Sequence, residues 1–145
     1  MEKIRKLLVL PRQERWLFFK AAALLVIVRL VLLLPFAYAR RFFKWISHYS
    51  RRLAADPATV EQLVWAVNAA GRLVPGATHC LTQAITAQIF LMRRGYPAKL
   101  RYGVPRKIEG RFIAHAWLES NGIVVIGGPE VDSYVMLASP TDSVK

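Results

Sequence analysis

Residues 21–39 read AAALLVIVRLVLLLPFAYA, a nineteen-residue run from Ala21 to Ala39 whose only charge is Arg29. Such a run must be taken out of water, into a bilayer or into a protein core, and that choice constrains the rest of the chain. About 20 apolar residues cross a hydrocarbon layer, so the length is borderline for a span. On the insertion scale eleven Leu, Ile, Val and Phe residues contribute about −3 to −7 kcal/mol, and a central Arg costs roughly 2.5–3.5 kcal/mol. That sum is marginal. Orientation signals cancel, because Lys3, Arg5, Lys6, Arg12, Arg15 and Lys20 precede the run and Arg40, Arg41, Lys44, Arg51 and Arg52 follow it. Ala37-Tyr38-Ala39 has the form of a signal-peptide cleavage site, but the basic segment before it is long and Arg29 breaks the apolar region. The balance favours a helix that packs on the domain or lies on a membrane, with Pro35 near its end. Trp16, Phe18, Phe19, Phe42, Phe43 and Trp45 would then cover core or sit at an interface.

At 145 residues, 54% of them hydrophobic, the chain suits one domain with a sizeable core. The organisation expected is a basic, apolar, helical region over residues 1–55 followed by a core over 56–145. Cys80 is the single cysteine, which excludes an internal disulfide and fits a reducing, cytoplasmic setting. The net charge of +12 is uneven: residues 1–72 hold thirteen Lys/Arg against four Asp/Glu, and residues 73–145 hold eight against five. Basic and apolar halves coincide, which points to a membrane surface or an acidic polypeptide. Zinc-finger spacing, ribonucleoprotein aromatics and a basic region with heptads are all missing, so nucleic acid is not an expected partner.

Asp56-Pro57 has the form of a helix start, and Val60, Leu63, Val64 and Val67 follow at amphipathic spacing. That helix should run out near Gly71–Leu73, before Pro75-Gly76. Thr78 can cap a second helix over His79 to Arg94 with Leu81, Ala84, Ile85, Ile89 and Met92 on one face, ended by Gly95 and Pro97. Leu100, Tyr102 and Val104 alternate as a strand does. A second strand over Phe112 to Glu119, the turn signal Asn121-Gly122 and a return over Ile123 to Ile126 complete an antiparallel meander. The fold class expected is α+β, with the Cys80 helix packed on a small antiparallel sheet.

Cys80 falls in the first turn of its helix, where unpaired N–H groups and the dipole favour a thiolate and can receive an oxyanion. His115, read as mid-strand, supplies a base for such a thiol, and a third group normally orients the ring. One Cys with His48, His79 and His115 shows no metal-ligand spacing, so neither metal nor cofactor is expected.

The run VPGATHCLTQAITAQIFLMRRGYPAKLRYGV, followed by AHAWLESNGIVVIGG, resembles the transglutaminase-like core of the lasso-peptide B proteins, over about residues 57–128. The stretch from ERWLFF through RLVLLLPF resembles the amino-terminal helices of the split form of that family. The resemblance implies a papain-like fold and a cysteine peptidase that removes the leader from a ribosomally made precursor peptide. It implies Cys80 as nucleophile and His115 as base. The family's third member, an acid, falls near Gly127, which has no side chain to offer. Glu130 is the substitute expected, with Asp132 also close by and Glu119 further along the His115 strand. As partners the resemblance implies the precursor, a separate leader-recognition protein and an ATP-dependent cyclase, since no phosphate-binding loop occurs here. A non-catalytic peptide-binding module of the same fold and an acyl transferase using the same thioester are the alternatives.

Overall fold

Pro35 divides the apolar run. The computed structural model describes residues 2–49, 59–74, 80–107 and 114–137. Three helices fill the amino-terminal part: α1 (Glu2–Val9), α2 (Arg12–Leu32) and α3 (Phe36–Tyr49). Helix α2 closes with tight bonds from Leu33 N–H to Leu30 O and Leu34 N–H to Val31 O, and the Pro35 carbonyl accepts from Tyr38 N–H at the start of α3. Proline has no N–H and its ring clashes with a preceding turn, so one helix cannot carry Ala21 to Ala39. No helix among the described residues is long and apolar enough to cross a membrane.

Helix α2 is instead a wall of the core. Leu17, Phe18, Ala21, Leu25 and Val28 are buried at helical spacing, and this face packs on two further helices, α4 (Val60–Leu73) and α5 (Cys80–Arg93). Asp56 and Pro57 lie outside the described residues, and the helix start expected there falls at Thr59. The Thr59 hydroxyl accepts from Gln62 N–H, and the Gln62 side chain accepts from Thr59 N–H. This reciprocal capping satisfies two donors that a helix start otherwise leaves unpaired. Helix α4 does end at Leu73, as its sequence indicates.

Helix α5 is buried on more than one side, with Thr82, Ala84, Ile85, Thr86, Ala87, Ile89, Phe90 and Leu91 all enclosed. The expected apolar stripe was narrower because two threonines fill the remaining face, where Thr86 Oγ1 donates to Thr82 O at 2.7 Å. Gly95, at φ 77°, ends the helix. Its N–H reaches Met92 O and Tyr96 N–H reaches Leu91 O, the paired bonds of a left-handed terminus.

Four antiparallel strands follow: β1 (Lys99–Pro105), β2 (His115–Ser120), β3 (Ile123–Ile126) and β4 (Tyr134–Leu137), in the order β3-β2-β1-β4. Asn121 at φ 52° and Gly122 at φ 77° form the two-residue turn between β2 and β3 that their sequence signals. A 3-10 helix (Gly128–Ser133) carries the chain to β4, an edge strand that the sequence reading lacks. Leu17, Leu25, Leu63, Leu91, Leu118 and Ile126 meet in one core that joins α2, α4, α5 and the sheet. The α+β architecture, a Cys-bearing helix on a small antiparallel sheet, is as the sequence indicates.

Candidate active site

Cys80 is the first residue of α5 and half-buried. The opening N–H groups of a helix have no partners within it, so the thiol sits where a developing negative charge is favoured. His115 heads β2 rather than lying mid-strand, with exposed Ala114 before it. Among the described residues the ladder agrees: β1 pairs with β2 from Lys99↔Glu119 to Gly103↔His115, and Val104 and Pro105 pair with β4.

Two contacts fix how helix and strand are aligned. Ser120, at the far end of β2, donates to Pro97 O at 2.7 Å, just past the end of α5. The axis of β2 then covers about 17 Å back to His115, and that of α5 about 20 Å back to Cys80. Helix α5 packs on β2, and two axes of similar length starting from that contact would carry Cys80 and His115 toward the same end of the layer. Among the described residues no hydrogen bond joins the Cys80 thiol to the imidazole. Catalytic hydrogen bonds are commonly long until substrate closes the site. Residues 75–79 and 108–113, which lead into these two positions, lie outside the described set, and with them the proposed cap Thr78.

The imidazole is closely held. His115 Nε2 lies 3.0 Å from the Gly127 carbonyl oxygen. Its ring centroid is 5.0 Å from that of Tyr134 and 6.1 Å from that of Trp117, the latter stacked at 25°. Trp117 is 2% exposed, and its Nε1–H donates to Glu119 Oε1 at 3.2 Å. Opposite His115, Gly103 leaves the room that the indole needs: a Cβ there would stand 2.8 Å from Trp117 Cζ3 and 2.9 Å from Tyr134 Cβ.

The three candidate acids differ in their surroundings. Glu119 is occupied away from His115, accepting from Arg101 Nε at 3.3 Å as well as from Trp117. Asp132 is exposed, and its carbonyl accepts from Arg106 Nε. Glu130 lies in the 3-10 helix, and its side chain is outside the described atoms. Gly127, set aside for want of a side chain, is in contact with His115 through its main chain. Trp117 shares a strand face with His115, as the sequence indicates, whereas Tyr134 was missed as a neighbour of the ring. The alternation of His115, Trp117 and Glu119 on one strand face was the available signal for Trp117, whereas nothing local marked Tyr134.

Beside Tyr134 opens a groove of about 530 Å³ lined by Pro105, Arg106, Lys107, Ser133 and Tyr134. It offers two cationic side chains next to the imidazole's neighbour. On the other face of β1, burial raises the Tyr102 hydroxyl above its ordinary pKa of 10.0, which keeps it neutral. The described residues contain no cluster of His, Cys, Asp and Glu able to hold a metal ion.

One family model matches, the transglutaminase-like superfamily, over residues 30–139. The match begins near the end of α2, runs just past β4, and takes in Cys80, His115 and Gly127. No curated protein and no solved structure matches the chain. The superfamily includes cysteine peptidases and acyltransferases. With most of its length under this match and a helix-borne cysteine packed on an antiparallel sheet that carries a histidine, the chain belongs to the transglutaminase-like superfamily.

Proposed function

We propose that this chain is a cysteine peptidase that removes the leader from a ribosomally synthesised precursor during lasso-peptide maturation. What supports the reading is that Cys80 opens α5 and the clamped His115 opens β2, the strand on which that helix packs. In the first half-reaction the thiol proton passes to His115 and sulfur attacks the scissile carbonyl. The C–N bond then breaks as His115 returns the proton to the leaving amine. Backbone N–H groups at the start of α5 stabilise the oxyanion. In the second half, water gives a proton to His115, its oxygen attacks the thioester carbonyl, and the thiolate that leaves takes the proton back.

Arg106 and Lys107 at the groove suit an acidic leader segment. The precursor, a separate leader-recognition protein and an ATP-dependent cyclase are the partners proposed, in a reducing cytoplasm. The test is to incubate the chain with a precursor and its recognition protein and weigh the products. Hydrolysis gives two fragments whose masses sum to the precursor plus one water. A product that retains the mass of an added amine instead makes the chain an acyl transferase, and intact precursor leaves a binding module.

A membrane surface is the proposed site of work, and α2 supports it. Trp16, Phe19, Val26, Ile27, Leu30 and Leu33 form a second apolar stripe, 43–67% exposed, on the side of α2 away from the core. Lys20 Nζ lies 5.8 Å from the Trp16 ring, and Arg12, Arg40, Arg41 and Lys44 add positive charge nearby in sequence. An amphipathic face rimmed with cations suits anionic lipid. In flotation, the chain is expected to rise with phosphatidylcholine/phosphatidylglycerol vesicles and to be released by salt. A Trp16→Ser/Phe19→Ser/Leu30→Ser variant should stay at the bottom of the gradient. Equal flotation of that variant would discard the lipid-facing role of α2.

A further inference from the structure

We infer that the main-chain carbonyl of Gly127 is the third member of this site: it holds His115 as the Nε2–H tautomer and leaves Nδ1 as the atom that exchanges a proton with Cys80. Only the naming of Cys80 rests on the peptidase reading; the tautomer stands on the geometry around His115.

The argument starts from proton counting. A carbonyl oxygen accepts and never donates, so at 3.0 Å the hydrogen belongs to Nε2. Neutral imidazole carries one N–H, so Nδ1 is then the bare, basic nitrogen. In the imidazolium both nitrogens carry protons, and the Nε2–H bond to Gly127 persists. One bond thus spans the whole cycle while Nδ1 alone gains and loses its proton.

The backbone explains why a carbonyl stands there. Gly127, at φ 79° and ψ 20°, takes the left-handed conformation between β3 and the 3-10 helix. That region is costly for residues with a Cβ. Space is tight as well: a Cβ would stand 3.0 Å from Ala116 O, 3.1 Å from Trp117 Cβ and 3.2 Å from His115 Nε2. A side chain at residue 127 would need both the left-handed backbone and small shifts of these neighbours, and in this chain the main-chain oxygen makes the contact. The rings of Tyr134 and Trp117 flank the imidazole and restrict its rotation away from this acceptor. Glu119, the carboxylate on the same strand, is engaged by Arg101 and Trp117.

The exchange of a carboxylate for a carbonyl has a chemical cost. Bonds with an ionised partner are about twice as strong as neutral ones. A carbonyl therefore sets the tautomer and orientation as a carboxylate does, while adding less to the stability of the imidazolium.

The test is long-range proton–nitrogen correlation on the full chain labelled with ¹⁵N-histidine. The His115 signal is identified by its loss in His115→Gln. At a pH where the ring is neutral, the expected pattern is a protonated Nε2 and a bare Nδ1. A protonated Nδ1, or averaging over both tautomers, would overturn the inference. A second arm places the hydroxy-acid analogue of glycine at position 128, which turns the Gly127 carbonyl into an ester and a weaker acceptor. That change should move His115 toward mixed tautomers and lower kcat about tenfold with KM little changed, while Glu130→Gln leaves the spectrum as it was. If Glu130→Gln shifts the pattern and the ester does not, Glu130 is the orienting group and the inference falls. Failure to cleave any precursor, with the Nε2–H tautomer present, would count against the peptidase reading alone.

Discussion

Cys80→Ala is expected to lower kcat/KM for precursor cleavage by at least about a thousandfold, because no other group in the chain can form the thioester. Loss of a nucleophile leaves only the acceleration that binding and oxyanion stabilisation supply. The substitution is small, and position 80 is half-buried at a helix start, so the fold should survive it. Cys80→Ser keeps the shape and exchanges the thiol for a hydroxyl, yet should fare little better, since a serine needs a stronger base than a thiol does. His115→Ala should slow both turnover and alkylation of Cys80 by iodoacetamide, which reads one site because the chain holds one cysteine. Wild-type rates of precursor cleavage in Cys80→Ala would end the thioester mechanism outright.

Trp117→Ala should cost about 3–5 kcal/mol of stability, the range for removing a large aromatic from a packed interior. The indole is 2% exposed, fills the space left open by Gly103, stacks on His115 and donates to Glu119. Denaturant unfolding followed by circular dichroism measures the loss. Trp117→Phe separates two contributions: it keeps most of the packing and removes the Nε1–H bond, so it should cost about 1–2 kcal/mol more than a volume change alone. If Trp117→Ala unfolds within 1 kcal/mol of wild type, on the scale of an ordinary surface change, the indole is not what seats the imidazole.

The parts of this fold that could be read from sequence are those whose signals are local. Gly95 and Asn121-Gly122 need positive φ and announce it by residue type. Helices α4 and α5 show their apolar spacing within a few turns, and the Pro75-Gly76 pair in the sequence signals a break ahead of the helix that begins at Cys80. Features set by remote partners were harder to read. Strand β4 is four residues long and lies on the edge of β1 opposite β2, with Tyr102 and Gly103 paired on both sides. Among the described residues β2 begins at its pairing with Gly103. Gly127 was the least legible, because every residue carries a carbonyl and only the fold decides which one meets an imidazole.

Helix α2 touches α5 directly on one side and turns its other side outward. Whatever settles on that outer side therefore takes a fixed bearing toward the Cys80 end of α5, since packed side chains rather than a tether connect the two. A tethered domain searches a sphere of orientations; this one, once seated, would face a single direction. Substrate arriving along the same surface would meet the nucleophile at a constant height and angle.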